Sequence, residues 1–185
     1  MYFFLKNNII FILYFLSYSL TYSKDIMFDN FEKQYESSWQ FISDSVMGGK
    51  SYGKASFLSE QGSSFIRLAG YVSLDNNGGF IQVRRNLTNK ENRITNGIKI
   101  VVRGNNLNYY IHLRTKFTIL PWQYYQAVVS VKENWKEALI NIKDFKASGV
   151  LLPKTIKPKN IKSIAIVAFG KEHKAEVDVK EIIFY

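Results

Sequence analysis

Short segments in which apolar and polar residues alternate run along most of this chain, and that alternation limits its fold more than any other feature. In 109–115, Tyr109, Ile111 and Leu113 fall on one side and Tyr110, His112 and Arg114 on the other. In 125–132, Ala127, Val129 and Val131 oppose Gln126, Val128 and Ser130. A period of two belongs to strands with one buried face. Segments 54–59, 64–69, 70–75, 79–84, 98–103, 161–169 and 175–185 also read as strands. Turn residues separate them: Gly48-Gly49, Gly62, Asn76-Asn77-Gly78-Gly79, Asn96-Gly97, Gly104-Asn105-Asn106 and Gly170-Lys171. No segment keeps a 3.6-residue period beyond about two turns; short helical turns are expected near 36–42 and 142–146. Many short strands without intervening helices predict an all-β sandwich or barrel. The one long irregular stretch, 145–160, is too short for a second domain.

The chain has 185 residues, enough for one domain that folds on packing alone. With no cysteine it makes no disulfide, thiolate zinc site, iron–sulfur cluster or thiol nucleophile. Two histidines leave little for a metal or acid–base centre, and no cofactor is expected. The first 23 residues have the layout of an export signal: Lys6, an apolar run from Ile9 to Leu16, then small polar residues with Thr21 and Ser23 at the −3 and −1 positions. The run is far shorter than the roughly 20 residues that span a bilayer. The expectation is cleavage and export to the periplasm or beyond, with residues 24–185 as one mature domain lacking a spanning helix. An uncleaved, membrane-anchoring segment is the alternative. Without Lys6 the net charge falls from +10 to +9. Residues 132–162 hold 8 lysines against Glu133, Glu137 and Asp144, a local net of +5. That is a solvated rim or a contact for an anionic partner; nucleic acid is not expected, given the export route.

Residues 44–51 read DSVMGGKS and end like a phosphate-binding loop. The loop pattern requires glycine where Asp44 stands, and a helix should follow it. The segment reads instead as a tight glycine turn with Met47 packed inside. Residues 75–80, DNNGGF, read as a hairpin turn joining 70–74 to 80–84. Alternatively, paired glycines admit a partner's backbone or a sugar ring, with Asn76 and Asn77 supplying hydrogen bonds. Asp44 and Asp75, beside these turns, are expected to cap backbone N–H groups. Arg103 and Arg114, at strand ends, are internally paired or free to bind carboxylates. Trp39, Trp122, Trp135 and the Tyr124-Tyr125 pair are core residues or stacking platforms. His112 sits on the more polar strand face, and no nucleophile motif accompanies it.

Taken in order, Trp39-x-x-Ile42-Ser43-Asp44-Ser45-Val46-Met47-Gly48-Gly49-Lys50-Ser51-x-Gly53 and then Gly70 to Phe80 resemble the two opening motifs of the complex I intermediate-associated protein 30 family. Arg84 or Arg85 fits the arginine that follows. Arg103-Gly104, Tyr110-x-x-Leu113-Arg114-Thr115, Tyr124-Tyr125-Gln126-Ala127 and Trp135 continue the similarity, which covers about 28–185. The resemblance implies a galactose-binding-like jelly-roll β-sandwich. It also implies a non-catalytic, chaperone-like module that binds a protein partner, a partly assembled membrane-associated complex in the best-known members. A carbohydrate-binding module of the envelope is the alternative. The residues expected to bind are Trp39, Asp44, Met47, Gly48, Gly49, Asn77, Gly78, Gly79, Arg84, Arg103, Arg114, Tyr124 and Trp135; no catalytic or metal-ligating residue is expected.

Overall fold

The computed structural model describes residues 25–88, 92, 94 and 96–185, so the leader expected at 1–23 lies outside the described residues. Twelve strands are described: β1 (Ile26–Asp29), β2 (Trp39–Ser43), β3 (Tyr52–Glu60), β4 (Ser63–Val72), β5 (Phe80–Asn86), β6 (Gly97–Gly104), β7 (Asn108–Thr115), β8 (Tyr125–Ser130), β9 (Lys136–Asn141), β10 (Lys146–Ala147), β11 (Ile161–Phe169) and β12 (His173–Phe184). The first sheet runs β3-β4-β12-β6-β9, with β1 beside the C-terminal end of β12; the second runs β10-β8-β7-β11-β5-β2. Every pairing is antiparallel. Two such sheets, interleaved in sequence and packed face to face, make a jelly-roll sandwich.

The alternation decides what fills the interior. Ile81 and Val83 of β5, Tyr109, Ile111 and Leu113 of β7, Ala127 and Val129 of β8, and Ile164, Ile166 and Ala168 of β11 point inward and are buried. They meet Ile66 and Leu68 of β4, Ile98, Ile100 and Val102 of β6, and Val177, Val179 and Ile182 of β12. Each such aliphatic side chain contributes about 1.5–3 kcal/mol by leaving water. One polar knot crosses between the layers. The buried Asp29 of β1 accepts hydrogen bonds from Trp39 Nε1 of β2 (2.7 Å), Arg85 Nη1 of β5 (2.5 Å) and the Phe31 amide (2.7 Å). A buried carboxylate needs this much compensation.

Three expectations change. The turn at 75–79 is not a hairpin. It carries the chain from β4 in the first sheet to β5 in the second, and the two strands pair with β3 and β12, and with β11 and β2. Asn76 (φ 55°), Asn77 (φ 58°) and Gly79 (φ 135°) supply the left-handed backbone of that corner. The helical turn expected at 36–42 is a 3-10 turn over Lys33–Ser38, and Trp39 already begins a strand. Segments 64–69 and 70–75 merge into the single strand β4.

Candidate binding groove

The outer face of the second sheet is a trough because its middle strand carries small side chains. On β11 the outward residues are Ser163, Ala165 and Val167, whereas the neighbouring strands present Gln82 and Arg84 on β5 and His112 and Arg114 on β7. Register places Gln40, Arg84, Ala165, His112 and Gln126 in one row across five strands. With about 4.8 Å between strands, Arg84 and His112 stand about 10 Å apart across Ala165. The resulting groove has a volume of about 560 Å³.

One wall is the β7–β8 connection, braced from within. Thr118 Oγ1 accepts from the Thr115 amide (3.0 Å) and donates to the Thr115 carbonyl (2.7 Å). Gln123 Oε1 accepts from the amides of Ile119 (2.9 Å) and Leu120 (3.0 Å). The carbonyls so presented hold Arg114, whose Nη2 donates to Thr118 O (2.9 Å) and Leu120 O (3.0 Å). Trp122, 61% exposed, stands on the lip. Beside it, Tyr124 stacks on His112 with ring centroids 4.0 Å apart and planes 7° apart, and Phe169 meets both rings edge-on. Burial pushes the His112 imidazole down to about 3, against a weaker opposing pull from Gln126, so the ring is neutral at pH 7. Its Nε2 and the Oε1 of Gln126, its register neighbour on β8, are both buried and find no other partner among the described residues.

The opposite wall is where the two glycine-rich motifs meet. The Asp44 carboxylate accepts from the Ser51 amide (2.9 Å), Ser51 Oγ (2.5 Å), the Gly79 amide (2.6 Å) and the Phe80 amide (3.2 Å). Burial alone would raise its pKa; the hydrogen bonds from Ser51, Gly79 and Phe80 outweigh it and hold the carboxyl below its ordinary value. A Cβ at Gly49 or Gly78 would drive into that carboxylate, which explains glycine at both positions. Asn76 Nδ2 donates to Gly48 O (3.1 Å) and closes the clamp. Around it Val46, Met47, Asn77 and Gly78 line the groove.

The residues expected to bind therefore separate. Met47, Asn77, Gly78, Arg84, Arg114 and Tyr124 come together in the groove. Met47 is 54% exposed there and not packed inside its turn, because the αL residue Gly48 ends the 3-10 turn 44–47 and the side chain is left on the rim. Asp44, Gly48, Gly49 and Gly79 form the clamp behind the rim. Asp75, expected to cap, is exposed beside Lys50 (3.7 Å), and its backbone carbonyl accepts from Gly78. Trp39 is buried on Asp29. Arg103 and Trp135 lie on the first sheet, the guanidinium 4.5 Å from the indole and paired with Asp178 and Glu60. Of the two arginines that fitted one motif position, Arg84 faces the groove and Arg85 faces the core. Gln82, His112, Ser163 and Phe169 were not among the expected binders. Alternation puts His112 and Ser163 on the outer face, but only the register shows that they share a trough.

The sequence model of the complex I intermediate-associated protein 30 family matches residues 28–179. The chain belongs to that family. The matched span covers the clamp, the groove floor and both walls. No curated protein sequence matches the chain. Among solved structures, this chain is similar to the family 11 carbohydrate-binding module of the cellulosomal cellulase Lic26A-Cel5E of Clostridium thermocellum, with a TM-score of 0.67, 15% identity, 87% of this chain and 94% of that one covered. The family 11 module from the same organism in complex with a β-1,3-1,4-mixed-linked tetrasaccharide gives 0.65, 15%, 86% and 94%. The family 30 module of its cellulosomal cellulase Cel9D-Cel44B gives 0.55, 11%, 79% and 90%. At these identities the likeness is one of fold.

Proposed function

We propose that this chain is a non-catalytic binding module that takes an oligosaccharide in the groove across its second sheet. The observation that carries the reading is the trough itself: a floor of Ser163, Ala165 and Val167, an exposed indole on the lip, and planar polar groups at strand spacing along both sides. A sugar ring has apolar faces and a rim of hydroxyls. Its face fits against Trp122 and the small floor residues; its hydroxyls meet Gln82, Arg84 and Arg114. None of the described lining residues is acidic, so the groove holds no carboxylate pair of the kind that glycoside hydrolysis uses. The fold shared with carbohydrate-binding modules supports the reading. Nuclear magnetic resonance titration with a panel of oligosaccharides tests it: amide shifts should cluster on β5, β7 and β11, and a panel silent at millimolar concentration overturns it.

A second reading, a protein partner of the sort the family's name describes, is favoured by a different observation. Ile119, Trp122, Val150 and Leu151 are exposed at 83, 61, 99 and 83% on two loops tied by the bonds of Ser148 to Trp122 and Tyr124. Exposed apolar loops beside a lysine-rich segment suit an acidic protein surface. Cross-linking in the native host, analysed separately for envelope and cytoplasm, tests this reading. The same fractionation tests the proposal that residues 1–23 direct export.

A further inference from the structure

Two guanidinium groups face the groove, and none of the described residues that line it is Asp or Glu. Arg84 stands on β5 opposite Ala165, and Arg114 on β7 opposite Ser163, so the two flank β11 diagonally and reach over its small side chains. Arg114 is fixed by the carbonyls of Thr118 and Leu120. Arg84 makes no hydrogen bond or ion pair with a described residue. Burial and the charge of Arg114 both act against its protonated form. A half-buried cation beside a like charge is unfavourable without compensation.

Other arginines of this molecule do not stand that way. Arg67 and Arg103 share Asp178 at 2.6 and 2.9 Å, Arg103 also meets Glu60 at 2.7 Å, and Arg85 meets Asp29 at 2.5 Å. Among the described residues, the fold supplies carboxylates to Arg67, Arg85 and Arg103 and leaves the groove pair without one. His112, neutral and stacked on Tyr124, lines the same groove. A planar, bidentate donor fork suits an oxyanion better than a neutral hydroxyl.

We propose that the ligand carries an acid group, a carboxylate or a sulfate ester, that seats between Arg84 and Arg114; on the reading above, it is an acidic saccharide. The inference rests on that reading for the saccharide and on the arginine pair for the acid. Calorimetric titration of the chain with three oligosaccharides of equal length tests it: a uronate, a sulfated galactan and a neutral β-glucan. One of the two acidic probes should bind at least about tenfold more tightly than the neutral one, and which one names the acid. That advantage should vanish in Arg84→Gln and in Arg114→Gln. Arg84→Gln should keep or raise the melting temperature, since it removes a like-charge neighbour, so lost preference there is not unfolding. Equal affinity for all three, or an acidic preference that survives both substitutions, overturns the acid seat and leaves the saccharide reading standing. If no saccharide binds, inorganic sulfate decides. Shifts of the Arg84 and Arg114 side-chain resonances keep the seat and discard the saccharide; their absence discards both.

Discussion

Asp44 is the residue on which the groove's glycine wall depends. Its carboxylate takes four hydrogen bonds from two segments far apart in sequence. Asp44→Ala strands those donors and should destabilise the fold by about 3 kcal/mol in urea denaturation. Gly78→Ala should do similar damage, because the added methyl enters the carboxylate's place. The Asp44 pKa is depressed, so its contribution is present above the ordinary carboxylate range and is lost as pH falls through the folded value. His112 acts with the same sign, since its folded-state pKa is also depressed. Folding lowers its pKa to about 3, so the unfolded chain binds the extra proton between about pH 6.5 and 3, and stability declines as pH falls through that window. The slope should approach about 1.4 kcal/mol per pH unit, and His112→Phe should flatten it. A wild-type stability that is level from pH 7 to 4 would contradict the buried, neutral ring.

At the scale of elements, β11 makes the trough. Its inward residues belong to the core and its outward residues are small, so the two faces can be changed separately. Ala165→Leu should fill the floor and abolish saccharide binding measured by titration, at a cost in stability of about 1–3 kcal/mol because the site is buried. A variant that still binds as wild type would move the ligand elsewhere. Strands β3 to β8, β11 and β12 were legible from alternation, and β7 and β8 face as their residue pattern predicts, whereas β1, β2, β9 and β10 were not read from it. The turn at 75–79 was not, because Asn-Asn-Gly-Gly supplies positive φ equally well to a hairpin and to a corner between sheets. What separates the two is which distant strands β4 and β5 join, and that is a long-range property. The trough was hidden for the same reason: Ser163, Ala165 and Val167 look like ordinary strand residues until Arg84 and His112 are placed on either side.

Over the whole molecule, the two sheets divide the expected binding residues. Arg84 and Arg114 of the second sheet meet Met47, Asn77, Gly78 and Tyr124 in one groove, whereas Trp39 of β2 faces the core. Arg103 and Trp135 belong to a cation–aromatic and ion-pair cluster on the first, with Asp178, Phe65 and Lys180. Arg103→Gln should therefore leave ligand affinity unchanged while lowering stability by about 1–2 kcal/mol. The family motifs were readable in sequence, but they mix groove, clamp and core. A residue such as Trp39 fits the motif because its indole N–H satisfies Asp29, not because it faces a ligand. The central claim is that recognition takes place on the open face of the second sheet. Amide shift mapping during titration with a binding oligosaccharide tests it most directly. Perturbations should concentrate at Gln82, Arg84, His112, Arg114, Ser163 and Ala165; perturbations confined to Arg67, Arg103 and Asp178 on the first sheet would contradict it.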